Sequence, residues 1–114
     1  SALSALAAAC VEGLDDFRAP ALEAELARRR ARGLTPRQEE NLLRWGYPYV
    51  MQDFRFHMTL SGRLAPEALD ATAEAIAPHV TPHLPAPFRI GALALVGADA
   101  AGRFHLIERL PLGG

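Results

Sequence analysis

Apolar residues recur at spacings of three and four through the first part of the chain, at Leu3, Leu6, Cys10, Leu14 and Phe17, with Ala7 and Val11 filling the stripe. That is one face of a 3.6-residue period, and it predicts an amphipathic helix over residues 1–18, ended or redirected by Pro20. A second helix is expected over residues 20–32, with Glu23 and Glu25 early and Arg28, Arg29, Arg30 and Arg32 late, the order that the helix dipole favours. Gly33 stops it. Thr35-Pro36-Arg37-Gln38 then supplies a cap, a first-turn proline and a glutamine three residues after the cap. A short helix to Trp45 follows, closed by Gly46, with Leu42, Leu43 and Trp45 on its apolar side.

Beyond residue 50 the period falls to two. Phe54, Phe56, Met58 and Leu60 alternate with Arg55, His57, Thr59, Ser61 and Arg63, which predicts a strand with one face in the core. Tyr47-Pro48-Tyr49 reads as an irregular connection into it. Pro66, Leu69, Ala73, Ile76 and Ala77 mark a helix over residues 66–77, and Pro78, Pro82, Pro85 and Pro87 argue against its simple continuation. Residues 88–96 read as a strand apolar on both faces, residues 97–102 as a turn, and residues 103–110 as the second arm of a hairpin. In that arm Phe104, Leu106 and Leu110 share one face, and Arg103, His105, Arg109 and Ile107 the other. The expected fold is α+β, an antiparallel sheet of about three strands with helices on one face and the other face left to be covered.

The polar face of the strand at residues 53–64 is where chemistry concentrates. It lines up two guanidiniums, an imidazole and two hydroxyls, a set suited to a phosphate. His57 and Thr59 lie two apart, so their side chains point the same way about 7 Å apart along a strand, within reach of a single phosphate. The imidazole can exchange a proton near neutral pH, the hydroxyl can donate to a phosphoryl oxygen, and Arg55 or Arg63 can neutralise charge. Ser61 is a further hydroxyl on that face. Tyr47 and Tyr49 either pack over the open end of the core or present a ring or hydroxyl to a base or sugar. The arginine run at the end of the second helix reads as a solvated face. His79 and His83 are four apart, but interspersed prolines and the lack of a third ligand argue against a metal.

Phe56-His57-Met58-Thr59-Leu60, and the longer run from Trp45 through Leu64, resemble the two-histidine (2H) phosphoesterase superfamily. The likeness is to the carboxyl-terminal half of a branch found beside bacterial phosphonate-breakdown genes. It implies two lobes, each with a His-x-Thr/Ser motif, facing each other so that one His serves as base and the other as acid. This chain has one such motif. His79, His83 and His105 are followed two residues later by Thr81, Pro85 and Ile107, and Pro78 and Pro82 break the context of the first. Residues 1–114 are therefore expected to form one lobe of a longer enzyme, with 1–46 a helical segment and 47–114 a strand-helix-hairpin segment. The absence of an initiator methionine agrees with that expectation.

The resemblance implies metal-free and cofactor-free hydrolysis of a cyclic phosphodiester of phosphoribosyl or nucleotide type. His57 and Thr59 would be catalytic, and Arg55, Arg63, Ser61, Tyr47 and Tyr49 would bind substrate. The partners implied are a phosphorylated small molecule or nucleotide, together with the missing amino-terminal lobe or a second copy in a homodimer. The alternative is a non-catalytic phosphate-binding or protein-interaction module, because one histidine cannot be acid and base at once on opposite oxygens.

Composition adds bounds. At 114 residues the chain suffices for one small domain, and half of it is apolar. A formal net charge of −1 argues against nucleic-acid binding and disorder. All 12 basic residues are arginine, which fits a GC-rich bacterial genome better than selection for guanidinium. Cys10 stands alone, so no intrachain disulfide forms and a reducing, cytoplasmic setting is expected. No apolar run approaches membrane-spanning length.

Overall fold

Ser1 starts the first helix with its own hydroxyl, which accepts a hydrogen bond from the Ser4 amide at 3.2 Å. In the computed structural model, which describes residues 1–113, that helix is α1 (Ala2–Leu14), followed by one 3-10 turn, Asp15–Phe17. Helix α2 (Glu23–Arg30) begins three residues past Pro20, because Leu22 is extended and takes the cap position. Glu23 and Glu25 fill its first turn, and Arg28, Arg29 and Arg30 its last. Helix α3 (Pro36–Trp45) has the expected capping box: the Gln38 amide donates to Thr35 Oγ1 at 3.2 Å, and the Thr35 amide to Gln38 Oε1 at 3.0 Å. Gly46 ends it in the left-handed region at φ 76°. A Cβ there would also lie 2.9 Å from Arg18 Nη1, since the Arg18 side chain crosses the glycine to donate to the Arg44 carbonyl. Both facts call for glycine.

The chain divides into two compact units, Ser1–Thr59 and the residues from Leu60 onward. In the first, burial is concentrated on α3 and the loop after it: Leu42 and Pro48 are fully buried, Asn41 and Val50 nearly so. Asn41 Nδ2 donates to the Pro48 and Val50 carbonyls, both at 3.2 Å, and so pins the loop to the helix. Arg37 at the start of α3 grips Asp53 through two bonds of 2.8 Å. Asp15 accepts from Arg18 Nε at 2.9 Å and Arg44 Nη1 at 2.7 Å, tying the end of α1 to the end of α3.

In the second unit, α4 (Pro66–Val80) runs past the point where Pro78 was expected to end it, and passes into a 3-10 turn, Thr81–His83. Pro78 lies in the last turn, where its missing amide removes a single bond, the one to the carbonyl of exposed Glu74. The hairpin is β1 (Ala92–Ala98) antiparallel to β2 (Phe104–Pro111). Asp99 organises its turn, accepting from the Ala101 and Arg103 amides at 2.9 and 3.0 Å and from His105 Nε2 at 2.8 Å. The register jumps from Leu95 opposite Glu108 to Val96 opposite Leu106, so Ile107 is an extra residue. This bulge corrects the expected faces. Arg109, opposite Ala94, joins Phe104 and Leu106, while Leu110, opposite Leu93, joins Glu108 and His105.

The structure is α+β: among the described residues it has four helices and a two-stranded sheet, where about three strands were expected. The difference falls on residues 54–60, which form neither helix nor strand. Phe56, Met58 and Leu60 are 45%, 53% and 61% exposed, so the expected core face is not covered. An alternating sequence buries one face only when a neighbouring strand and a second layer lie against it.

Two predictions test this frame. Asn41→Ala leaves two buried carbonyls without their donor and is expected to lower unfolding stability by about 2 to 3 kcal/mol in urea titration; a loss under about 0.5 kcal/mol would show that the loop does not depend on the amide. Hydrogen bonds from Arg37 hold the Asp53 carboxyl below the usual carboxylate range, desolvation opposing and the Arg37 and Arg55 charges assisting. A lowered folded-state value means stabilisation that is present above about pH 4 and lost as pH falls through the folded value. Asp53→Asn should therefore flatten the acid side of the stability profile, and an unchanged slope in acid titration followed by circular dichroism would contradict the clamp.

Candidate functional site

The loop pinned by Asn41 leads directly into the residues read as chemical. Pro48 and Val50, whose carbonyls Asn41 holds, flank Tyr49, so the amide fixes the backbone on both sides of that ring. Met51 then takes a left-handed conformation, φ 52°, which is unusual for a side chain of its size and turns the chain into the 3-10 turn Met51–Asp53. The Arg37 grip on Asp53 anchors the end of that turn. Residues 54–59 leave from a fixed point.

There they border a pocket of about 320 Å³ lined by Tyr47, Tyr49, Asp53, Phe54, Arg55 and His57. That volume lies at the lower end of the range for small-molecule sites. Tyr47 and Tyr49 meet edge to face, centroids 5.6 Å apart and planes at 76°. His57 Nδ1 lies 2.8 Å from the Arg55 carbonyl oxygen. A carbonyl can only accept, so Nδ1 carries the hydrogen, and in the neutral ring Nε2 holds the lone pair. The imidazole is exposed, with Nε2 the nitrogen available for proton transfer. Arg55 Nη1 donates to the Gln52 and Phe54 carbonyls at 3.2 and 2.9 Å, which folds the guanidinium back along its own segment.

Of the residues singled out from the sequence, Tyr47, Tyr49, Arg55 and His57 share this pocket. Thr59 is exposed at the end of the first unit and is not among the lining residues. Ser61 and Arg63 belong to the second unit, where both are exposed and the Ser61 hydroxyl donates to the Gly62 carbonyl at 2.9 Å. Asp53 and Phe54 line the pocket without having been singled out. Asp53 stands next to the alternating run, but its partner Arg37 is 16 residues away, a pairing no local pattern signals.

Among the described residues no group of three or more His, Cys, Asp or Glu side chains is placed to hold a metal ion. None of the described helices is long and apolar enough to cross a membrane.

Comparison with known proteins places the chain. A curated protein of Janthinobacterium sp. (strain Marseille), ribose 1,5-bisphosphate phosphokinase PhnN, is 38% identical over 117 residues that cover 98% of this chain and 26% of that protein. The chain thus spans about a quarter of the length of the curated relative it matches. No solved structure matches it. The family described as "Protein of unknown function (DUF1045)" matches residues 1–105, most of the chain with its pocket and the first hairpin strand, and the chain belongs to that family.

Proposed function

We propose that this chain contributes a half-site for metal-free hydrolysis of a cyclic phosphodiester, of phosphoribosyl or nucleotide type, in phosphonate metabolism. The observation that carries the reading is His57, its tautomer set by the Arg55 carbonyl at 2.8 Å, beside a pocket with Arg55 and two tyrosines. The His-x-Thr pattern and its resemblance to 2H phosphoesterases supply the reaction class. The relative's name, which specifies a ribose bisphosphate, agrees with a phosphoribosyl substrate. A P-loop kinase role is not proposed for this segment, since it contains no lysine to reach a β- or γ-phosphate.

In the proposed step a water oxygen attacks phosphorus while His57 Nε2 takes its proton. The bond from phosphorus to one ring ester oxygen breaks, and that oxygen receives a proton from a complementary histidine outside this chain. The roles of the two histidines exchange if the other ester oxygen leaves. Thr59 donates to a non-bridging oxygen, and Arg55 or Arg63 balances the developing charge, with Ser61 as a further donor. The second histidine comes from an amino-terminal lobe or from another copy. Phe104, Leu106 and Ile107, large apolar side chains exposed on the hairpin, support a covering partner of this kind. The run from Phe54 would then pair as the third strand of a 2H-like lobe.

A second reading has its own support. With one His-x-Thr motif the chain holds half of an acid-base pair, and a phosphate-binding or interaction module would need no more. Substitution decides between them in the full-length protein assayed on a ribose cyclic phosphodiester. His57→Ala is expected to lower kcat by about 10² to 10⁴ with the circular dichroism spectrum unchanged, and Thr59→Ala by about 10². Turnover that survives His57→Ala would sink the catalytic assignment. Ligand binding without turnover in the unsubstituted protein would establish the module.

A further inference from the structure

Arg28, Arg29 and Arg30 are consecutive at the end of α2, yet they are not equivalent. The Arg29 side chain is 26% exposed, against 71% for Arg28 and 42% for Arg30. Arg30 pairs with Glu39 across to α3, and Arg28 lies 3.8 Å from Glu25. Arg29 Nη2 donates to Glu25 Oε1 at 3.1 Å, while its guanidinium carbon sits 4.6 Å from the centroid of the Tyr47 ring. Its Nε is buried and has no hydrogen-bond partner among the described residues. A buried N–H without an acceptor is costly, and the negative face of the tyrosine ring is the compensation at hand.

Tyr47 in turn meets Tyr49 edge to face, and both rings line the pocket that holds His57 and Arg55. The guanidinium thus lies against the first ring, and the first ring against the second. Ordering two tyrosines before a ligand arrives removes an entropy cost from binding.

We propose that Arg29 is a positioning residue that locks Tyr47 and Tyr49 as a preformed wall, against which the organic ring of a phosphate ester stacks. The proposal rests on the phosphoester reading of the same pocket. The wall acts on the ring-bearing part of the ligand, leaving the phosphoryl group to Arg55 and His57. Arg29 accordingly affects affinity for the ester rather than the chemical step.

The test uses the full-length protein, with a nucleoside monophosphate and inorganic phosphate as calorimetric probes and a nucleoside 2′,3′-cyclic phosphate as substrate. Arg29→Gln is expected to weaken nucleoside monophosphate binding and raise KM by about three- to tenfold, the scale of one lost cation–π contact. Inorganic phosphate affinity and kcat should stay within about twofold, the split that marks loss of uniform binding. Arg29→Lys, which keeps a cation over the ring, should recover part of the loss. Arg28→Gln is the control that changes neither. The proposal is overturned if Arg29→Gln leaves ester binding unchanged, if it weakens phosphate and ester equally, or if the unsubstituted protein binds no nucleoside monophosphate. Binding that depends on Arg29 without turnover of the cyclic ester would instead remove the hydrolase reading and leave the wall in place.

Discussion

The first unit depends on one side-chain amide. Asn41 is buried, and its two N–H groups hold the carbonyls of Pro48 and Val50, the two loop residues that are themselves buried. Such a loop has few backbone donors of its own to satisfy these carbonyls, because Pro48 has no N–H. Asn41 supplies them from a helix whose start and end are both fixed, by Thr35 and Gln38 at one terminus and by Gly46 and Arg18 at the other. Leu42 and Val50, beside these bonds in sequence, are buried as well. Without a rigid α3 the amide would have nothing to hold the loop against.

This anchoring explains how the candidate site combines order and exposure. Residues 47–53 are fixed by Asn41, Arg37 and the Met51 turn, whereas residues 55–60 are exposed and lie outside any strand. His57 belongs to no regular element, and what orients its ring is the local bond to the Arg55 carbonyl. The pocket accordingly has an aromatic side, Tyr47 and Tyr49, and a second side, Arg55 and His57, on the segment that follows Asp53. Such a division suits the half-site proposed above, whose anchored side is built into the fold and whose exposed side is left for another surface to enclose.

The hairpin follows a different logic. Two-stranded ribbons are marginal in water, and this one relies on its turn, where the Asp99 carboxylate collects two amides, a guanidinium and an imidazole. His105 foremost, then the Arg103 amide, holds that carboxyl below its usual range. The bulge at Ile107 gives both faces of the ribbon exposed apolar residues: Leu95 and Leu110 on one, Val96, Leu106 and Phe104 on the other.

Local chemistry determined much of this protein from sequence alone. The capping box at Thr35 and Gln38, the glycine stop at Gly46, the proline start of α4 and the two hairpin arms are each written within a few neighbouring residues, because caps, turns and helix periods are short-range interactions. The His-x-Thr pattern and both tyrosines were legible for the same reason, and Tyr47, Tyr49, Arg55 and His57 do share one pocket. Tertiary structure alone decided what depends on partners distant in sequence. The Arg37–Asp53 grip, the Asn41 bonds, the inward turn of Arg29 beneath Tyr47 and the irregular course of residues 54–60 all rest on which surface meets which. Alternation can specify that a segment would suit a strand, but only a neighbouring backbone can make it one.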